Sequence, residues 1–383
     1  MKKLINFLTL VLLAFALTAV SCPTDIGDEA PGDAPALHAL PGFGVGINIG
    51  NTLDSIGTNT WIAGETGWGN PMITRELIKA LKAHGYKTIR LPVTWAENIG
   101  PAPKYVISED WMDRVEEVVN WILAEDLYCI LNLHHDGGTS DKSWILGMST
   151  NESAVHIQFE IVWTQIAHRF RNASEKLILE SMNEVGFDDI WNRWGGNQSQ
   201  KRTAYRKLNL LNQAFVNTVR STGAVNASRP LLIAGYWTDI DATCDPLFMM
   251  PQDTIENKLI LSVHYYTPAT FCIAEEPDNS WGFKSDWGSG ASSDADRNEL
   301  AAQFEKLKTN FLDEGIPVIL GEYGVTKKNK VEEGRIRWMT AVTQICIDNG
   351  ITPVLWDTGG EISRRPPYGM SDSLREVMAG LVY

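Results

Sequence analysis

LILESMNE, at residues 177–184, starts as an apolar run and ends on a carboxylate. PVILGEYG, at 317–324, repeats the pattern and carries Glu322. Short apolar runs without strict alternation suit strands buried on both faces of a parallel sheet. A carboxylate at the carboxyl end of such a strand points into the loops where parallel barrels do chemistry. Glu184 and Glu322, far apart in sequence but both at strand ends, are the minimum equipment for cleaving a glycosidic bond.

Six further runs share this character: VGINIGN (45–51), KTIRLP (87–92), YCILNLHH (128–135), LLIAGYW (231–237), LILSVHYY (259–266) and TPVLWDTGG (352–360). Amphipathic stretches separate them. Leu300, Phe304, Leu307 and Phe311 make one helical stripe that ends before Gly315. Trp111, Val115, Val118 and Ile122 make another, with Ser108 as its expected N-cap. Tyr205, Leu208, Leu211, Phe215 and Val219 make a third, whereas 241–258 shows no long helix. Eight strands with crossovers predict a single α/β domain, a closed (β/α)8 TIM barrel over residues 41–383. An open doubly wound sheet would want a glycine-rich phosphate loop after its first strand, and GVGINIGN lacks that spacing.

With 383 residues, 44% of them hydrophobic, the chain can fill one such barrel. Residues 1–21 read as an export signal, with Lys2 and Lys3 ahead of an apolar run from Leu4 to Val20. Cys22 follows Ala19-Val20-Ser21, which resembles a bacterial lipoprotein cleavage site, although a leucine is more usual where Ala19 stands. The expectation is an exported chain, secreted or anchored by lipid at Cys22, with residues 22–40 as a Pro/Asp/Ala-rich tether. Loss of residues 1–21 leaves 31 basic against 47 acidic side chains, a net charge of about −16. Such a surface repels nucleic acid and polyuronates and suits a neutral substrate. Fourteen tryptophans are many for this length, and Trp61, Trp144, Trp191, Trp194, Trp281 and Trp287 fall in predicted loops, where indoles stack on sugar rings. Cys129 and Cys346 read as buried thiols, while Cys244 and Cys272 follow successive strands, a placement compatible with a bridge or with two free thiols.

Reading only the strand ends gives Asn48, Arg90, His134, His135, Asn183, Glu184, Trp237, His264, Tyr266, Glu322 and Trp356. The chemistry needs unlike carboxylates, one protonated to serve the leaving oxygen and one ionised to attack. Arg90 is the expected partner that keeps a carboxylate ionised, and Tyr266 can donate to the same oxygen. Adjacent residues on a strand point to opposite sides, so His134 and His135 are poorly placed to chelate one metal ion, and no metal or cofactor is expected.

These blocks resemble glycoside hydrolase family 5 over about 43–383. MNE (182–184) looks like the family's acid/base motif and LGEYG (320–324) its nucleophile motif. TIRLPVTW (88–95), NLHHD (132–136), VHYY (263–266) and VLWD (354–357) look like the remaining blocks, in the family's order. NIGNTLDS (48–55) with ETGWGNP (65–71) is most similar to the endoglucanase subfamily numbered four, which includes xyloglucanases and mixed-linkage glucanases. The resemblance implies Glu184 as acid/base, Glu322 as nucleophile and Asn183 on the sugar 2-hydroxyl. Arg90, His134, His264 and Tyr266 would orient the glutamates, Trp356 would lie under the sugar, and Asn48, His135 and Trp237 would bind substrate. Asn98 stands where such relatives often have histidine. The implied activity is a retaining endo-β-1,4-glucanase acting on a neutral β-glucan as a monomer. A xyloglucan-specific or broad glucanase is the alternative. A non-catalytic glycan-binding surface lipoprotein would need neither glutamate.

Overall fold

The computed structural model describes residues 42–57, 64–137, 143–187 and 196–382. The export signal, Cys22, the tether, Trp61, Trp191 and Trp194 lie outside these residues. All eight expected strands form: β1 (Gly46–Asn48), β2 (Thr88–Leu91), β3 (Tyr128–Asn132), β4 (Leu177–Glu180), β5 (Leu231–Asp239), β6 (Leu259–Tyr265), β7 (Val318–Tyr323) and β8 (Thr352–Leu355). Each pairs in parallel with its sequence neighbour, and β8 closes on β1. The fold is a single closed (β/α)8 barrel.

Helices fill the crossovers: α1 (Arg75–Ala83), α2 (Glu109–Ala124), α3 (Glu152–Arg169), α4 (Gln198–Ser221), α5 (Ile240–Thr243), α6 (Ala269–Cys272), α7 (Ser293–Leu307), α8 (Glu332–Asp348) and α9 (Asp372–Ala379). Their apolar stripes face the sheet. Val115, Val118 and Ile122 of α2 and Tyr205, Leu208, Leu211, Phe215 and Val219 of α4 are buried. Ser108 is the N-cap of α2, but its hydroxyl makes no capping bond. Asn197 caps α4 by accepting from the Ser199 and Gln200 amides, and Gln200 returns a bond to the Asn197 amide. Phe311 leaves the regular helix, sitting on a π turn, Lys308–Leu312, at the end of α7. Only the four-residue α5 stands between β5 and residue 258, in line with the missing helical period there.

Inside the barrel, Phe43, Ile130, Ile178, Leu232, Ile260, Ile319 and Val354 form one buried apolar cluster. Side chains two residues apart on a strand share a face. The next inward positions on β3, β4 and β6 are therefore Asn132, Glu180 and Ser262, all buried. On these three strands the interior changes from apolar to polar in one step, and parallel register aligns neighbouring positions around the ring. Asn48 lies opposite Arg90, and Asn132 opposite Glu180. On β6 and β7 the register shifts after Val263, so that His264 lies opposite Glu322. A bulge of this kind re-aims side chains beside a site.

Candidate active site

Arg90 is fully buried and organises the carboxyl end of the barrel. Its Nη1 donates to Glu322 Oε1 at 2.7 Å and to Asn48 Oδ1 at 3.0 Å. Its Nη2 donates to Asn183 Oδ1 at 2.7 Å, and its Nε to Glu180 Oε2 at 2.7 Å. Burial works against the guanidinium charge, but Glu180 and Glu322 more than compensate and hold Arg90 protonated. Glu180 was not singled out from the sequence. Its signal was a carboxylate within the apolar run LILE, facing inward two positions after Ile178. It also accepts from Ser262 Oγ at 2.7 Å, so both of its oxygens are engaged.

The expected partners of Glu322 are in place. Tyr266 Oη donates to Glu322 Oε2 at 3.0 Å, opposite the Arg90 contact. The Tyr266 phenol is held well above its ordinary range by burial and then by the Glu322 and Glu184 charges, so it remains a donor. Glu184 is not on β4, which ends at Glu180. It stands four residues further on in a turn, with φ of 45°. His264 Nδ1 lies 2.9 Å from Glu184 Oε1 and 3.7 Å from Glu322 Oε2. Carboxylate oxygens of the two glutamates approach within 4.8 Å of each other. Retaining glycosidases keep their carboxyl groups about 5–5.5 Å apart and inverting ones about 6.5–9.5 Å, to leave room for a water. An oxygen approach this close is compatible with the retaining spacing.

The two glutamates titrate together. Burial pushes Glu322 above the ordinary carboxylate range, against the pull of His264 and Arg90. Burial acts the same way on Glu184, but the His264 contact outweighs it and draws Glu184 down. His264 Nε2 has no hydrogen-bond partner among the described residues, so its tautomer can follow Glu184. Nδ1 can accept from a protonated Glu184 or donate to an ionised one. Glu184, half-exposed and bonded to His264 rather than to a permanent cation, is the member placed to exchange a proton. Glu322 receives hydrogen bonds from a permanent cation and a phenol, and only its ionised form uses both.

Asn183 turns its carbonyl to Arg90, which leaves its amide nitrogen for a substrate hydroxyl. His134 is buried and stacks on Trp356 with rings 5.7 Å apart and 4° from parallel. Trp356 lies on Gly50, where a Cβ would meet its ring at 2.9 Å. Trp237 borders a cavity of about 320 Å³ together with Glu184, His264 and Tyr266. Tyr266 and Trp356 border another of about 540 Å³. Both volumes are in the range of sites that hold a small ligand or a sugar unit.

Three expectations are corrected, and the choice left open for Cys244 and Cys272 is decided. Asn48 does not face substrate: it is fully buried, and its Nδ2 donates to the Gly321, Val354 and Leu355 carbonyls at 2.9, 3.3 and 3.2 Å, tying β1 to β7 and β8. His134 and His135 do not diverge. β3 ends at Asn132, so strand alternation no longer governs them, and their rings meet edge-to-face at 4.6 Å. Cys244 and Cys272 are free thiols. Cys272 is buried near Lys330, while Cys244 is half-buried among Asp239, Asp241 and Lys306, so they face different surroundings. Trp287 is a core residue at 1% exposure, and Trp144 is tied to Asp136 through its Nε1, whereas Trp281 is exposed.

Among the described residues, two clusters have metal-ligand composition, Glu184–His264–Glu322 and Asp54–His134–His135. Protein hydrogen bonds already hold their carboxylates. Glu322 accepts from Arg90 and Tyr266, and Asp54 accepts from the Asn51 and Thr52 amides at 3.0 and 2.7 Å. Burial lowers His134 well below the ordinary histidine range and His135 to about 4, so both rings are neutral hydrogen-bonding groups.

A closed parallel barrel with a close carboxylate pair at its carboxyl end, one member clamped by arginine and tyrosine, defines a retaining-type glycoside hydrolase site. The Cellulase model, glycosyl hydrolase family 5, matches residues 50–361, and the chain belongs to that family. It is 38% identical over 338 residues to Endoglucanase A of Paenibacillus barcinonensis, covering 83% of this chain and 81% of that one. Among solved structures it resembles a family 5 xyloglucanase from Paenibacillus pabuli, with a TM-score of 0.79 and 34% identity over 88% of this chain and 98% of the other. A GH5-4 broad specificity endoglucanase from Bacteroides salanitronis gives a TM-score of 0.78 and 35% identity over 88% of this chain and 91% of the other.

Proposed function

We propose that this chain is a retaining endo-β-1,4-glucanase that cleaves internal bonds of cellulose-type or mixed-linkage glucans by double displacement. The observation that carries this reading is Glu322, clamped between Arg90 and Tyr266 with an oxygen within 4.8 Å of one on Glu184. In the first step the Glu322 carboxylate bonds to the anomeric carbon as the glycosidic C–O bond breaks, and Glu184 gives its proton to the departing oxygen. In the second, Glu184 takes a proton from water, the water oxygen bonds to the anomeric carbon, and Glu322 leaves as a carboxylate. Asn183 is suited to hold the 2-hydroxyl, and Trp356, fixed between Gly50 and His134, to carry the sugar face.

A broad specificity that includes xyloglucan is the second reading. It is favoured by the likeness to a xyloglucanase and to a broad specificity endoglucanase, and by the cavities bordered by Tyr266. Residues 1–21 direct export in this account, the chain is then secreted or anchored by lipid at Cys22, residues 22–40 are a tether, and one chain works as a monomer. A panel of carboxymethylcellulose, barley β-glucan, xyloglucan, xylan and mannan, with sizing of the products, tests the function. Internal cleavage of the β-glucans is expected. Release only of terminal units, or activity confined to xylan or mannan, would overturn it.

A further inference from the structure

The Glu184 turn is held from a direction that the catalytic hydrogen bonds do not explain. Glu184 has φ of 45°, a left-handed conformation that a side chain bearing a Cβ adopts only under constraint. Two residues on, Gly186 is buried, and the Trp237 indole occupies the space its side chain would need. A Cβ there would lie 2.0 Å from both Cε2 and Nε1 of Trp237 and 2.5 Å from Cδ2. The Trp237 amide donates to the Val185 carbonyl at 2.9 Å, and the Phe187 amide donates to Tyr236 Oη at 3.0 Å. From the other side, a Cβ at Gly137 would meet Val185 Cγ2 at 2.3 Å. Trp237 and Thr238 are themselves left-handed, with φ of 54° and 49°, where the pairing of β5 with β6 skips between Ala234 and Asp239. The bulge thus uses two left-handed residues to bring an indole against the Glu184 turn. The same indole borders the cavity of about 320 Å³ that Glu184 also lines.

We propose that Trp237, seated on Gly186, is a positioning residue that sets where the Glu184 carboxyl stands relative to the leaving oxygen. This rests on Glu184 being the acid/base. Trp237 is thereby more than a sugar platform: it acts on proton transfer even for substrates that place no sugar against it. Misplacing a catalytic group by about 1 Å can cost on the order of 10²-fold. The loss should fall only on reactions that need the proton.

The test compares kcat/KM on aryl β-cellobiosides of graded leaving-group acidity for wild type, Gly186→Ala, Trp237→Leu, the double variant and Glu184→Ala. Gly186→Ala should lose roughly 10²-fold on the poorest leaving group and less than about 5-fold on the dinitrophenyl glycoside, within the range of acid catalysis. Trp237→Leu, which only removes atoms, should show the same slope, and it decides alone if Gly186→Ala does not fold. The double variant should be no worse than the worse single one, because both break one contact. Equal losses across leaving groups, or losses that multiply in the double variant, would overturn the proposal. If Glu184→Ala itself shows no leaving-group dependence, the acid/base assignment fails and the proposal with it. If Glu184→Ala shows that dependence and Trp237→Leu does not, the positioning role alone fails.

Discussion

Replacing Glu180 tests whether the site is built on a shared buried cation. Glu180 and Arg90 are both fully buried, 2.7 Å apart, and Ser262 Oγ donates to the other Glu180 oxygen at 2.7 Å. Glu180→Ala leaves Arg90 Nε and Ser262 Oγ without acceptors in a space closed to solvent. Truncating one partner of a buried ion pair costs about 3–5 kcal/mol. Here Glu322 still balances part of the charge, so we expect a value near the lower limit, about 3 kcal/mol. At about 2.1 cal/mol/K of unfolding entropy per residue, that lowers the Tm of a barrel this size by about 4 °C. Glu180→Gln keeps the volume and an acceptor for one neighbour, and should cost about 1.5–3 kcal/mol, the worth of a charge-assisted bond. Its effect on pH dependence has a definite sign. Without the Glu180 charge, more of the Arg90 field falls on Glu322, whose carboxyl is otherwise pushed up chiefly by burial. Glu322 then ionises at lower pH, and the acid limb of kcat/KM moves down. Thermal unfolding and a kcat/KM profile across pH 3–8 give both readings. An unchanged Tm, or an acid limb that moves up, would refute the shared-cation reasoning.

Three further outcomes are expected. Tyr266→Phe removes the donor 3.0 Å from Glu322 Oε2 and should lower kcat about 10- to 100-fold with little change in stability, matching a charge-assisted bond of about 1.5–3 kcal/mol; steady-state kinetics and a melting curve check it. Asn48→Ala should destabilise by about 1–3 kcal/mol, since three strand carbonyls and Arg90 lose their partner, while KM for a short oligosaccharide stays within about 2-fold; a several-fold rise in KM would restore Asn48 to the substrate cleft. His135, lowered by burial to about 4, binds its proton less tightly in the folded state than unfolded. Its contribution is therefore present above about pH 6.5 and lost as the pH falls toward 4, on the order of 3 kcal/mol. His135→Gln should remove that part of the acid lability, so in denaturant melts the variant should gain on the wild type by about 3 kcal/mol between pH 7 and pH 4; a parallel loss in both proteins would contradict it.

The barrel was legible because a parallel strand buried on both faces announces itself as a short apolar run, and eight such runs close only a few ways. The candidate site was legible because barrel sites gather at strand ends, so Glu184, Glu322, Arg90, His264 and Tyr266, which the fold brings together, could be listed before any distance was known. Contacts set by register were not legible. Glu180 sits within an apolar run, and only the alignment of β2, β4 and β6 brings Arg90 and Ser262 to it. Asn48 could not be told from a cleft residue because the three carbonyls it ties belong to residues more than 270 positions away. His134 and His135 misled because alternation was carried past the end of β3. Trp287 misled because a loop position in sequence says nothing of the core it closes.

The account's central claim is that Glu322 forms the covalent intermediate. Incubation with a 2-deoxy-2-fluoro-β-cellobiosyl fluoride, followed by digestion and mass spectrometry, tests it directly. One cellobiosyl adduct on the peptide containing LGEYG, at Glu322, is the predicted result. An adduct on Glu184, or rapid turnover with inverted product and no adduct, would contradict it.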